Sequence, residues 1–162
     1  MARIDYAPGG LNPPHTHPRA TEIVFVLEGE LDVGFMTIEN KLFSKTIMKG
    51  EIFTFPRGLI HFQINNGNVS ATIIAAFNNQ FPGTQRVVTA MFASSPTIED
   101  VVLTKTFQVG TKEEKKVKSR LAPKNMSSSP SSFSSTIRPM RYSSLIIHYF
   151  FIFLNTLYVI NF

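Results

Sequence analysis

Three histidines and one glutamate in this chain are of the types, and at the spacings, that can gather a metal ion: His15 and His17, then Glu22, and far downstream His61. Successive side chains of a strand alternate between its two faces. His15 and His17 can therefore present both imidazoles to one side while Thr16 faces the other. Three neutral imidazoles and one carboxylate make a mixed nitrogen and oxygen donor set, suited to manganese, iron, nickel, copper or zinc rather than to a thiolate-seeking metal. Donor type alone does not choose among these metals. The only other histidine, His148, lies in a tail of different composition, so stray histidines do not account for the grouping.

The elements that must position these residues read as short apolar runs bounded by turn residues, the pattern of an all-β barrel or sandwich. The segment from Gly10 to Gly29 reads as strand, turn, strand. Further strands are expected over 3–6, 21–28, 30–37, 42–48, 52–55, 60–65 and 71–78, with a weaker one over 86–91. Gly29, Gly50 and Gly67 fall between strands, where glycine takes positive φ at little steric cost, and they read first as turn residues. The run Ile23-Val-Phe-Val-Leu27 is continuously apolar, as in a strand covered on both faces by a second layer or a neighbouring subunit. Leu31, Val33 and Phe35 alternate instead, marking a one-sided strand. Pro14 and Pro56 fix φ beside the ligand-bearing strands and place them at edges or bulges. After Phe92 the pattern suits a short helix following Pro96, up to Phe107, and an amphipathic helix over 111–121 with Val117 and Leu121 on its apolar edge.

A chain of 162 residues with 43% hydrophobic and 12% aromatic residues, 15 of them phenylalanine, can bury one core. Its formal charge of +5 raises the question of nucleic acid. The basic residues are dispersed, however, and the densest run, Lys112 to Arg120, mixes signs as a solvated helix face does, with Glu114 and Lys118 at a favourable spacing. No nucleic-acid partner is expected. The absence of cysteine excludes disulfides and zinc-thiolate sites.

With these residues in view, the two ligand-bearing segments resemble the two motifs of the cupin superfamily. The first, a glycine followed by H-x-H-x4-E-x6-G, is carried by Gly10, His15, His17, Glu22 and Gly29. The second, G-x5-P-x-G-x2-H-x3-N, is carried by Gly50, Pro56, Gly58, His61 and Asn65. The wording Pro13-Pro-His-Thr-His-Pro-Arg-Ala-Thr-Glu22 resembles the germins and germin-like proteins of plants, and the likeness runs from about Ala2 to Lys124. It implies a jelly-roll β-barrel with short C-terminal helices that clamp a subunit partner, assembly as a homo-oligomer (a hexamer in the family), and manganese held by His15, His17, Glu22 and His61. It further implies an extracellular, apoplastic or cell-wall setting with a role in defence or stress. The activity implied is redox chemistry of the superoxide dismutase type, producing hydrogen peroxide from a small anion. Oxalate oxidation, or a non-enzymatic wall, receptor-like or storage role, is the alternative. Asn12 matches an asparagine that in oxalate-oxidising germins hydrogen-bonds substrate; its other reading is a turn residue before Pro13-Pro14. Asn65 reads as a hairpin residue.

Against the germin pattern, Met1 falls within a strand and no secretory leader precedes it, so the expectation is an N-terminally shortened sequence with a cupin domain over 1–124. Residues 125–162 belong to another regime, a serine-rich stretch and then an apolar run from Leu145 to Ile160. That run is short for a bilayer of about 30 Å and holds His148 and Asn155, so a membrane anchor is not the expected reading. Asn68-Val69-Ser70 and Asn125-Met126-Ser127 each match the N-glycosylation acceptor pattern.

Overall fold

A computed structural model describes residues 1–122. The expected tail over 125–162, with its apolar run, lies outside the described residues. The elements are β1 (Ala2–Tyr6), β2 (Leu11–Thr16), β3 (Glu22–Glu28), β4 (Glu30–Met36), β5 (Leu42–Met48), β6 (Ile52–Phe55), β7 (His61–Ile64), β8 (Ala71–Phe77), β9 (Gln85–Arg86), α1 (Val87–Phe92), α2 (Asp100–Phe107) and α3 (Thr111–Leu121). Two antiparallel sheets, ordered β1-β8-β3-β6 and β5-β4-β7-β2-β9, face each other. This is a jelly roll: strands adjacent in sequence are repeatedly placed in opposite sheets, and the short helices follow it.

The core forms where the inward residues of the two sheets meet. Val24, Val26, Phe55 and Ile73 come from one sheet and Leu31, Val33 and Ile47 from the other, all at most 1% exposed. Strand β3 turns Glu22, Val24 and Val26 inward, and its outward residues Ile23, Phe25 and Leu27 are only half-buried. Their neighbours across the ladder, Ile74 on β8 and Ile52 on β6, extend this apolar face, and Ile52 is exposed. Among the described residues the doubly apolar strand therefore has its second layer on one side only.

Gly29 joins β3 to β4 at φ 74°, and a Cβ there would come within 2.7 Å of the Ser70 carbonyl oxygen, so both conformation and space require glycine. Five residues separate His15 from Gly9, which has φ 75°; that position, rather than the adjacent Gly10, is the left-handed glycine before the histidine pair.

One expected strand is a helix. Beyond the pairs His15 with Arg86 and Thr16 with Gln85, a longer β9 would run beside Pro14 and Pro13, which have no amide hydrogen to give the ladder. The chain leaves the sheet after two residues, and Val87, Ala90 and Met91, at helical spacing, form the half-buried stripe of α1. The helix after Pro96 starts at Asp100 rather than directly behind the proline. In α3, Val117 and Leu121 are half-buried as expected, but the charged run is not wholly solvated. Glu114 is fully buried and lies 2.8 Å from the Lys118 ammonium, which also donates to the Ile98 carbonyl oxygen and to Asp100. The helical spacing allowed this pair; only the packing of α2 on α3 takes the carboxylate out of water.

Candidate metal centre

The register of β2 against β7 determines which side chains enter the barrel. Asn12 pairs with Gln63, and His15 pairs with His61, so β2 carries one extra residue between the two pairs. This bulge falls on Pro13-Pro14. Three residues apart, Asn12 and His15 would face opposite sides of a regular strand; the bulge reverses the parity. Both then lie beside Gln63 and His61, which are two residues apart on one face of β7. Glu22 opens β3 and is drawn inward by the same alternation that buries Val24 and Val26. The chain between the two ligand segments is fastened where the Gly58 amide donates to the His17 carbonyl oxygen at 3.1 Å.

The four expected ligands meet. One ligand atom from each of His15, His17, Glu22 and His61 lies within 4.8 Å of all the others, and every one of these residues is at most 4% exposed. Glu22 Oε2 is 3.2 Å from His17 Nε2 and 3.1 Å from His61 Nε2. The outer nitrogens are engaged elsewhere: Nδ1 of His15 and of His61 each lie 2.8 Å from a backbone oxygen, of Pro13 and Leu59 respectively. A carbonyl oxygen can only accept, so both Nδ1 atoms carry a proton; with a cation at the centre the Nε2 lone pairs would face it, and without one a proton must lie between His61 Nε2 and Glu22 Oε2. The Thr84 hydroxyl lies 3.2 Å from His17 Nδ1. Lone pairs and a carboxylate converging on one buried point repel one another unless a proton or a cation lies among them. Such a donor set, with each outer nitrogen tied down, fits a divalent metal ion.

Electrostatics favour the same occupant. Burial, with a further contribution from His61, lowers the His15 pKa from its ordinary value to about 4. Its ring is neutral at physiological pH. Burial alone would raise the Glu22 carboxyl, but hydrogen bonds from His17 and His61 outweigh it and bring the pKa down to about 2. In metal-free protein the depressed His15 value makes stability depend on pH. The unfolded chain takes up this proton first as pH falls, so the contribution is complete above about pH 6.5 and lost by about pH 4. Urea unfolding of chelated protein is expected to show up to about 3 kcal/mol less stability at pH 4 than at pH 7 from this group, and His15→Leu should flatten that slope.

Around the ligands the wall is aromatic. The Phe55 ring stacks on His61 at 4.5 Å between centroids, and Phe77 meets His17 edge-on at 4.8 Å. Deeper in the barrel, Gln63 Oε1 accepts from Asn12 Nδ2 at 2.7 Å and from the Tyr6 hydroxyl at 3.3 Å. Burial raises the Tyr6 pKa above its ordinary value, keeping the phenol protonated as a donor. Gln63 is fully buried, and its Nε2 has no hydrogen-bond partner among the described residues. Sequence reasoning passed over Gln63 and Tyr6; the usable signal for Gln63 was its place two residues beyond His61. Asn65, expected at a hairpin, is a buried post: it donates to the Tyr6 and Val69 carbonyl oxygens and accepts from the Gly67 amide.

With this geometry in place, comparison with known proteins is decisive. The cupin family model matches residues 1–115. The chain belongs to the cupin family, among its germin-like members. This cupin is 68% identical over 124 residues to Germin-like protein 5-1 of Oryza sativa subsp. japonica, a match covering 76% of this chain and 56% of that protein. It is 66% identical over 124 residues to the Rhicadhesin receptor of Pisum sativum, covering 76% of this chain and 57% of the relative. The cupin thus spans little more than half the length of these curated relatives. Among solved structures it is similar to a recombinant oxalate oxidase in complex with glycolate, with 47% identity and a TM-score of 0.72, over 74% of this chain and 61% of that one.

Proposed function

We propose that this cupin binds one manganese ion through His15, His17, Glu22 and His61 and acts as a redox enzyme of the superoxide dismutase type, forming hydrogen peroxide in the plant cell wall or extracellular space, in defence or stress. The single observation that carries the reading is the convergence of imidazole lone pairs and one carboxylate on a buried point with both carbonyl-bound Nδ1 atoms facing away. A redox-active divalent ion held there would supply one-electron exchange with a small anion. The chain's own contribution is positioning: Pro13 and Leu59 orient two rings, Phe55 and Phe77 limit water, and Glu22 offsets part of the ion's charge. Asn12 is proposed to face the anion. Its amide gives one hydrogen to Gln63 and keeps a second for the anion.

The apolar outer face of β3 and its neighbours, with Ile23, Phe25, Leu27 and Ile74 half-buried and Ile52 exposed, supports a homo-oligomer, in line with the hexamers of germins. The likeness to the Rhicadhesin receptor favours a second reading, in which the metal stabilises the barrel and the surface binds a partner. Both are tested on one preparation of the full chain, by elemental analysis with superoxide and oxalate consumption measured in parallel. Superoxide consumption that falls to the buffer rate in His15→Ala and His61→Ala supports the enzymatic reading. Bound metal with neither activity overturns it in favour of the receptor-like one.

A further inference from the structure

Between β7 and β8 the chain leaves the barrel in a short outward loop, and the buried Asn65 is what bows it out. By donating to the Tyr6 and Val69 carbonyl oxygens at 3.1 and 2.8 Å and accepting from the Gly67 amide at 3.0 Å, Asn65 fixes both feet of the loop. The next carboxamide, Asn66, is engaged with Asp32 at 2.7 Å. Asn68 is different: it is exposed, as are Val69 and Ser70, and among the described residues its side chain makes no hydrogen bond. Asn68-Val69-Ser70 has the acceptor carboxamide, a middle residue other than proline, and the hydroxyl two positions on, followed by Ala71 rather than proline.

We infer that Asn68 is a site of N-linked glycosylation. The donor is an oligosaccharide joined to a lipid pyrophosphate. Asn68 Nδ2 forms the new bond to the sugar's anomeric carbon, the bond from that carbon to the pyrophosphate oxygen breaks, the lipid pyrophosphate leaves with the electron pair, and the amide gives up one proton. Placement makes the modification compatible with the centre. His61 opens β7 and Phe77 closes β8 at the metal end, whereas residues 66–70 join the other ends of these strands; the seven residues of β8 separate the two ends by roughly 20 Å. A glycan on Asn68 leaves the metal end open and reserves the opposite end for solvent, so subunit contacts fall on the sheet faces and helices.

Occurrence in the plant rests on the extracellular reading; the acceptor chemistry does not. The test therefore supplies the route: the full chain is secreted from cultured plant cells behind a cleavable heterologous leader. The tryptic peptide from Gly58 to Arg86 is examined by mass spectrometry before and after glycan release by peptide N-glycosidase in heavy-oxygen water. The expected result is conversion of Asn68 to labelled aspartate, a gel mobility shift lost in Asn68→Gln and in Ser70→Ala, and a shift retained in Ser70→Thr. A secreted protein with this peptide unmodified, or a shift that survives Asn68→Gln and disappears in Asn125→Gln, overturns the assignment. Whether the plant's own product reaches the wall is read separately by fractionation, so the two ideas fail independently.

Discussion

Glu22→Ala is expected to weaken retention of a divalent ion by more than about 100-fold, because loss even of groups that merely orient ligands costs 10–100-fold. Glu22 is the only acidic member of the four-residue cluster, and its Oε2 lies within 3.2 Å of two imidazole nitrogens. Without it, the ion's full charge would sit among neutral rings in an aromatic pocket that excludes water. Elemental analysis after gel filtration should fall from near one metal per chain to a small fraction. Glu22→Asp is the informative companion. It keeps the charge but pulls the oxygen back by one methylene, so partial loss is expected. Full retention by Glu22→Ala would show that the ion is held elsewhere.

The second large effect is on stability. Removing the ion with a chelator is expected to lower the unfolding midpoint of the full chain by roughly 10–20 °C. A ligand present at about a thousand times its dissociation constant contributes about 4 kcal/mol to the folded state, and for a domain of this size each kcal/mol shifts the midpoint by several degrees. The direction has a structural origin. Without a cation, the Nε2 atoms of His17 and His61 and the Glu22 carboxylate crowd together at 3.1 to 3.2 Å with only protons to separate them. Scanning calorimetry with and without chelator measures the shift, and the Glu22→Ala protein should show almost none. A wild-type midpoint indifferent to chelator would mean that the barrel is held by its apolar core alone.

Much of this centre was legible because histidine is chemically distinctive and only 4 occur in the chain. The spacing of His15, His17, Glu22 and His61 survives any error in strand boundaries. What escaped depended on register and packing. Pro14 marked an edge or a bulge, but that the bulge brings Asn12 and His15 to one face shows only once the partner strand is known. The segment Val87 to Phe92 has β-branched residues at its start and a helical stripe at Val87, Ala90 and Met91; the two prolines across the ladder decided between them. Glu114 lies in a run that reads as solvent-facing in every local respect, yet tertiary packing buries it. Gln63 has an uncharged amide that no composition argument singles out, and it matters only through the company of Asn12 and Tyr6.

The two imidazoles of His15 and His61 are aimed by oxygens that every amino acid possesses. Mutational drift in the side chains at positions 13 and 59 cannot delete those acceptors, whereas a deletion or insertion that reroutes either turn would remove them at once. Descendants of this gene can therefore vary widely around the ligands in residue identity while remaining intolerant of changes in loop length there.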